Sequence, residues 1–235
     1  MTTAPTRVGP VLRRRALRLS DAARARMDRA PVAGDEGAAL LTRVEGIDPL
    51  RVLLFGSGAL IGYGVRTRGD AVDGHLADLL ARRSGRGVTI ESRVRLALPT
   101  AEAVQSLGGA GTVTFHAAVW CPRFGEELSG GSVRRSRRAV RAMLTEYAEA
   151  SSVPLVLCTL PEPLGDDWRT RLRRPRIAAF NEMLRREAQS SRCARVADSG
   201  TYRPSDPAST TGPDWHRGFA AQLFPTVAAA LSLPV

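Results

Sequence analysis

Three side chains of this sequence have the chemistry to attack or activate an electrophile, and each stands where a strand ends or a helix begins. Ser57 lies in "VLLFGSGALIGYGV" (52–65), flanked by Gly56 and Gly58. An apolar run that stops at a tight glycine turn places its hydroxyl at the mouth of an α/β sheet, where a nucleophile or a phosphate sits. Cys121 follows the run "GTVTFHAAVW" (111–120). A thiol needs less activation than a hydroxyl, but it still needs a base or a lowered pKa. His216, two residues after Asp214, is the base for either nucleophile, with Asp214 as the carboxylate beside it. The other two histidines read as structural. His116 precedes Cys121 by five positions, so strand alternation turns it to the opposite face and into the core. His75 falls on a helix as an exposed or half-buried residue.

Other chemistries fit less well. The pattern G-S-G-x-x-x-G could cradle a phosphate through backbone N–H groups, but it lacks the G-K-[ST] of a P-loop. As a dinucleotide fingerprint its third glycine comes one position late, and no acid ends the next strand. No cofactor is therefore expected. Cys121, Cys158 and Cys193 form no C-x-x-C pair, which argues against a zinc site and against a disulfide framework. Asp166 and Asp167 read as solvated loop acids, and no metal is expected.

The formal net charge of +11 resembles a nucleic-acid signature. All 34 basic residues are arginine, however, and with abundant Ala and Gly this points to GC-rich codons. The arginines are spread along the chain without interleaved aromatics, which argues against nucleic acid as a partner. No apolar run reaches the roughly 18–20 residues of a membrane span. The N-terminus lacks the roughly 7–15-residue apolar core of a secretory signal. The sequence reads as a cytoplasmic protein with no membrane span. Its 235 residues suffice for one α/β domain with a buried core.

The elements that must position these side chains follow from hydrophobic periodicity. Residues 1–50 read as a basic N-terminal arm and 51–235 as the domain. Strands are expected at 51–56, 87–95, 111–120, 153–161 and 193–199. Helices are expected at 69–85, 100–107, 129–151, 174–191 and 215–232, with Val133, Val140, Met143, Leu144 and Tyr147 inward on the third and a kink at Pro225. Alternating strands and helices predict a three-layer α/β/α sandwich with a five-stranded parallel sheet of flavodoxin-like type.

The first strand ends in F-G-x-x-x-x-x-G-Y-G-V, and "FNEMLRREA" forms a late helix. Together with the element order, these features resemble the SGNH/GDSL hydrolases over most of residues 51–231. The resemblance implies ester or acyl hydrolysis by a serine in G-D-S. With the glycines aligned, Ser57 stands at that Asp and Gly58 at the nucleophile. The backbone donor of the oxyanion hole falls at Leu98. The Asn donor of G-x-N-D falls at Trp120, and its Asp at Cys121. The chain's one asparagine, Asn181, lies in the late helix. For the last block, D-x-x-H-P, two gap placements remain open. One puts Pro213 at the histidine, and the other keeps His216 as base.

Two functions follow. The first is an esterase-fold protein whose hydrolysis is lost or strongly impaired, kept to bind a small ester or acyl ligand or a protein partner. The second is a divergent esterase or acyltransferase with Ser57 or Cys121 as nucleophile and His216 as base.

Overall fold

Strand β2 (Leu50–Gly56) is buried at every position but Arg51, as expected of a central strand covered on both faces. It pairs in parallel with β3 (Val88–Val94) on one side and β4 (Ala117–Cys121) on the other. Beyond β4 come β5 (Leu155–Cys158) and β7 (Ala194–Ala197), also parallel. The parallel strands thus run second, first, third, fourth, fifth, the doubly wound order whose switch point lies between β2 and β4. This computed structural model describes residues 39–56, 62, 64–94, 115–122, 133–164, 168–202 and 212–233.

The sheet has six strands rather than the expected five. Strand β1 (Ala39–Val44), within the expected N-terminal arm, pairs antiparallel with β3 from Ala39↔Arg93 to Val44↔Val88. An antiparallel edge on a parallel sheet is common in doubly wound folds. A separate two-stranded ladder joins β6 (Glu162–Pro163) to β8 (Thr201–Tyr202) past the carboxyl ends of β5 and β7. The expected strand over 153–161 is shorter in the structure, where β5 covers only Leu155–Cys158, and β6 begins just past its expected end.

Among the described residues, four α-helices complete the layers. Helix α1 (Val72–Ser84) buries Val72, Leu76 and Leu80 and ends at Gly85, whose left-handed φ of 66° lets its N–H reach the Ala81 carbonyl. Its Asp73, 1 % exposed, accepts hydrogen bonds from Thr42 of β1 and from Arg68, which ties the start of the helix to the edge strand. Helix α4 (Pro213–Ala230) packs against α1 and against β4, β5 and β7. It continues through Pro225.

The opposite face carries α2 (Val133–Ala150) and α3 (Trp168–Gln189). Leu53, Phe55, Ala118, Trp120, Leu155 and Leu157 point to this side, against Val140, Met143 and Tyr147 of α2 and Ile177, Phe180 and Leu184 of α3. Val133, expected inward, is 45 % exposed because it opens the helix before the apolar stripe reaches the sheet. Helix α3 begins at Trp168, six residues before its expected start, and contains Pro175. Pro175 lies on the exposed side, where water can take the carbonyl that its missing N–H leaves.

Candidate active site

In a doubly wound sheet the ligand crevice opens at the carboxyl ends of the strands beside the switch point. Here those ends are Gly56 and Cys121, which are register partners across β2 and β4. Gly56 has φ 117°, and a Cβ on it would meet the Cys121 carbonyl oxygen at 2.1 Å. The glycine before the turn is thus required by the close approach of the two strand ends. Ser57, Gly58 and Leu98 follow in segments outside the described residues. So do the expected helix 100–107 and the Asp166–Asp167 pair.

Strand alternation sorts the remaining candidates. Trp120 belongs to the α2/α3 face, 1 % exposed within that core. Val119 and Cys121 therefore face α1 and α4, as do Val156 and Cys158 of the neighbouring strand. The Cys121 Sγ is in hydrogen-bond contact with the Cys158 Sγ at 3.2 Å, and both side chains are buried. Burial, and then the hydrogen bond and charge of Cys121, push the Cys158 thiol well above its ordinary pKa.

His216 lies in the first turn of α4, fully buried on the layer that also receives Cys121. Trp215 meets it edge-on, with ring centroids 5.0 Å apart, and stacks on Phe219 at 5.1 Å. Asp214 points the other way: its side chain is 97 % exposed, and it pairs with Arg217 at 3.6 Å. One helical turn thus sends the histidine inward and the carboxylate into solvent.

His116, expected in the core, is exposed instead. It precedes β4 rather than lying within it, at the open amino end of the sheet. There its Nδ1 accepts the Arg51 N–H at 2.9 Å, and its own N–H reaches the Arg51 carbonyl at 2.8 Å.

A cavity of about 200 Å³ opens past the carboxyl ends of β5 and β7, lined by Thr159, Glu162, Asn181, Arg185, Asp198 and Thr201. Arg185 pairs with Asp198 at 2.7 Å across it. Nothing local marks these residues in the sequence, because they come from three separate stretches of chain, 159–162, 181–185 and 198–201.

Comparison with solved structures bears on this architecture. A carbohydrate acetylesterase family member from Sinorhizobium meliloti superposes with a TM-score of 0.61 at 13 % identity, covering 78 % of this chain and 100 % of that one. A lipolytic protein of the G-D-S-L family from Veillonella parvula gives 0.57 at 12 % identity, over 75 % and 97 %. The chain has the SGNH-hydrolase fold. The psychrotrophic esterase EstA from Pseudoalteromonas sp. is a further SGNH-fold match, at 0.58 and 10 % identity over 77 % and 98 %. No family model and no curated protein matches the sequence. Among the described residues, no helix of this SGNH-fold chain is long and apolar enough to cross a membrane.

Proposed function

We propose that this SGNH-fold protein has lost, or retains only weakly, the ester or acyl hydrolysis of its structural neighbours. It serves as a binding or partner protein for a small ester or acyl ligand or for another protein. The observation that carries the reading is the fate of the asparagine. Trp120 stands at the expected oxyanion position and is packed into the α2/α3 core. The chain's one asparagine, Asn181, is bonded through both its Oδ1 and its Nδ2 to the backbone of Leu160. Loss of a single oxyanion donor costs about 100- to 1,000-fold in turnover, and Gly58 removes the aligned nucleophile as well.

The environment of Cys121 supports the same reading. A buried thiol held against a second thiol is a poor nucleophile compared with one beside a cation or a helix N-terminus. The thiols fit a reducing, cytoplasmic setting.

The test is the intact mass of the purified protein after exposure to a fluorophosphonate probe, beside an active SGNH esterase. The expected result is full labelling of the esterase and none of this protein. An adduct mapped to Ser57 would overturn the proposal in favour of a divergent esterase using His216 as base.

A further inference from the structure

Cys121 and Cys158 end adjacent parallel strands on the same face of the sheet, with their sulfurs 3.2 Å apart. Neighbouring strands lie about 4.8 Å apart, inside the roughly 4.4–6.8 Å between Cα atoms that a disulfide spans. The third thiol, Cys193, is separate: it is half-buried beside the Ser191 hydroxyl at 3.3 Å. The close pair also sits next to the switch point, because Cys121 is the register partner of Gly56.

We infer that Cys121 and Cys158 are a modification site, a dithiol that a small hydroperoxide converts reversibly to a disulfide stapling β4 to β5 at the ligand edge of the sheet. The step has two parts. One thiol of the pair, as its thiolate, attacks the terminal oxygen of the peroxide, and the O–O bond breaks. This leaves a sulfenic acid and releases one water after protonation. The second thiol then attacks the sulfenic sulfur, the S–O bond breaks, and a second water leaves. Two thiols and hydrogen peroxide thus give one disulfide and two waters, with sulfur oxidised and peroxide oxygen reduced. Burial makes the first attack slow, since susceptibility follows thiolate character and exposure, and it restricts the oxidant to one as small as hydrogen peroxide. The neighbouring thiol intercepts the sulfenic acid before further oxidation, as a resolving cysteine does.

The experiment treats the native full-length protein, in a Cys193→Ala background, with hydrogen peroxide. It is then alkylated under denaturing conditions, digested and mapped by mass spectrometry. The expected product is a linked pair of peptides carrying Cys121 and Cys158, lighter by two hydrogens and separated by dithiothreitol. Its formation should raise the melting temperature. Recovery of both cysteines as alkylated thiols after treatment, or as sulfonic acids without the link, overturns the inference. In a Cys158→Ala variant, Cys121 should instead be trapped as a sulfenic acid by dimedone. Should that variant not fold, the mapping of the parent protein decides alone.

Discussion

Asn181 on α3 binds the main chain of Leu160 as a neighbouring strand would. Its Oδ1 accepts the Leu160 N–H and its Nδ2 donates to the Leu160 carbonyl, both at 2.8 Å and both buried. The chain leaves the sheet just past β5 at this point, where no strand remains to satisfy its backbone. One side-chain amide closes the ladder and fixes where α3 docks.

Replacing Asn181 with Leu therefore strands a buried donor and a buried acceptor. Each unsatisfied group costs roughly 1–3 kcal/mol, so a loss of about 2–6 kcal/mol is expected in urea unfolding. A loss near zero would mean that water reaches Leu160.

Glu187 of α3 is held by Arg137 at 2.6 Å and by Arg141 at 3.0 Å, which clamps α3 to α2. Burial pushes its pKa up, but the hydrogen bonds and charges of Arg141 and Arg137 outweigh this and leave it below the ordinary 4.5. A depressed folded pKa contributes stability that is present above the unfolded value and lost as pH falls through the folded one. Both arginines are more than half exposed, so the clamp is worth about 1 kcal/mol. The stability difference between the parent and Glu187→Gln should be flat from pH 8 to 6 and shrink below about pH 4.5. A difference that grows on acidification would contradict the assignment.

Gly56→Ala should unfold the protein or cost about 3 kcal/mol or more. It adds strain at positive φ to a clash with the Cys121 carbonyl that neither strand end can relieve. Circular dichroism melts of the variant check this directly.

Trp120→Asn tests whether restoring the family's residue type restores its chemistry. The side chain at this position enters the α2/α3 core, so the variant should lose about 3–5 kcal/mol, as large-to-small core changes do. It should gain no hydrolysis of p-nitrophenyl acetate. Any gain in activity would place the asparagine in the crevice.

Ser57→Ala should leave whatever slow hydrolysis of p-nitrophenyl acetate the parent protein has unchanged. A fall of tenfold or more would make Ser57 the nucleophile.

Much of the fold was legible because the apolar spacing is local. The buried run of β2, the stripe Val140–Met143–Leu144–Tyr147 and the Gly85 stop each declare their element within a few residues. The same periodicity implied the alternation that makes the sheet parallel. "ALLTRV" (39–44) did not declare itself, since an edge strand with one exposed flank has a weak pattern and takes its identity from β3. The start of α3 lies six residues before the expected 174, because the helix runs through Pro175, which a helix interior tolerates here on its solvent side.

For the candidate site, the sequence by itself determined which groups are available: Gly58 and Trp120 at the aligned positions, one asparagine, and three cysteines. Only the tertiary structure decided who meets whom. Strand pairing brought Cys121 to Cys158 across 37 residues of chain. Helix docking tied Asn181 to Leu160, and the tilt of one turn separated buried His216 from exposed Asp214. These are relations between distant segments, set by register and by the face each residue takes in a packed layer. Local periodicity carries neither.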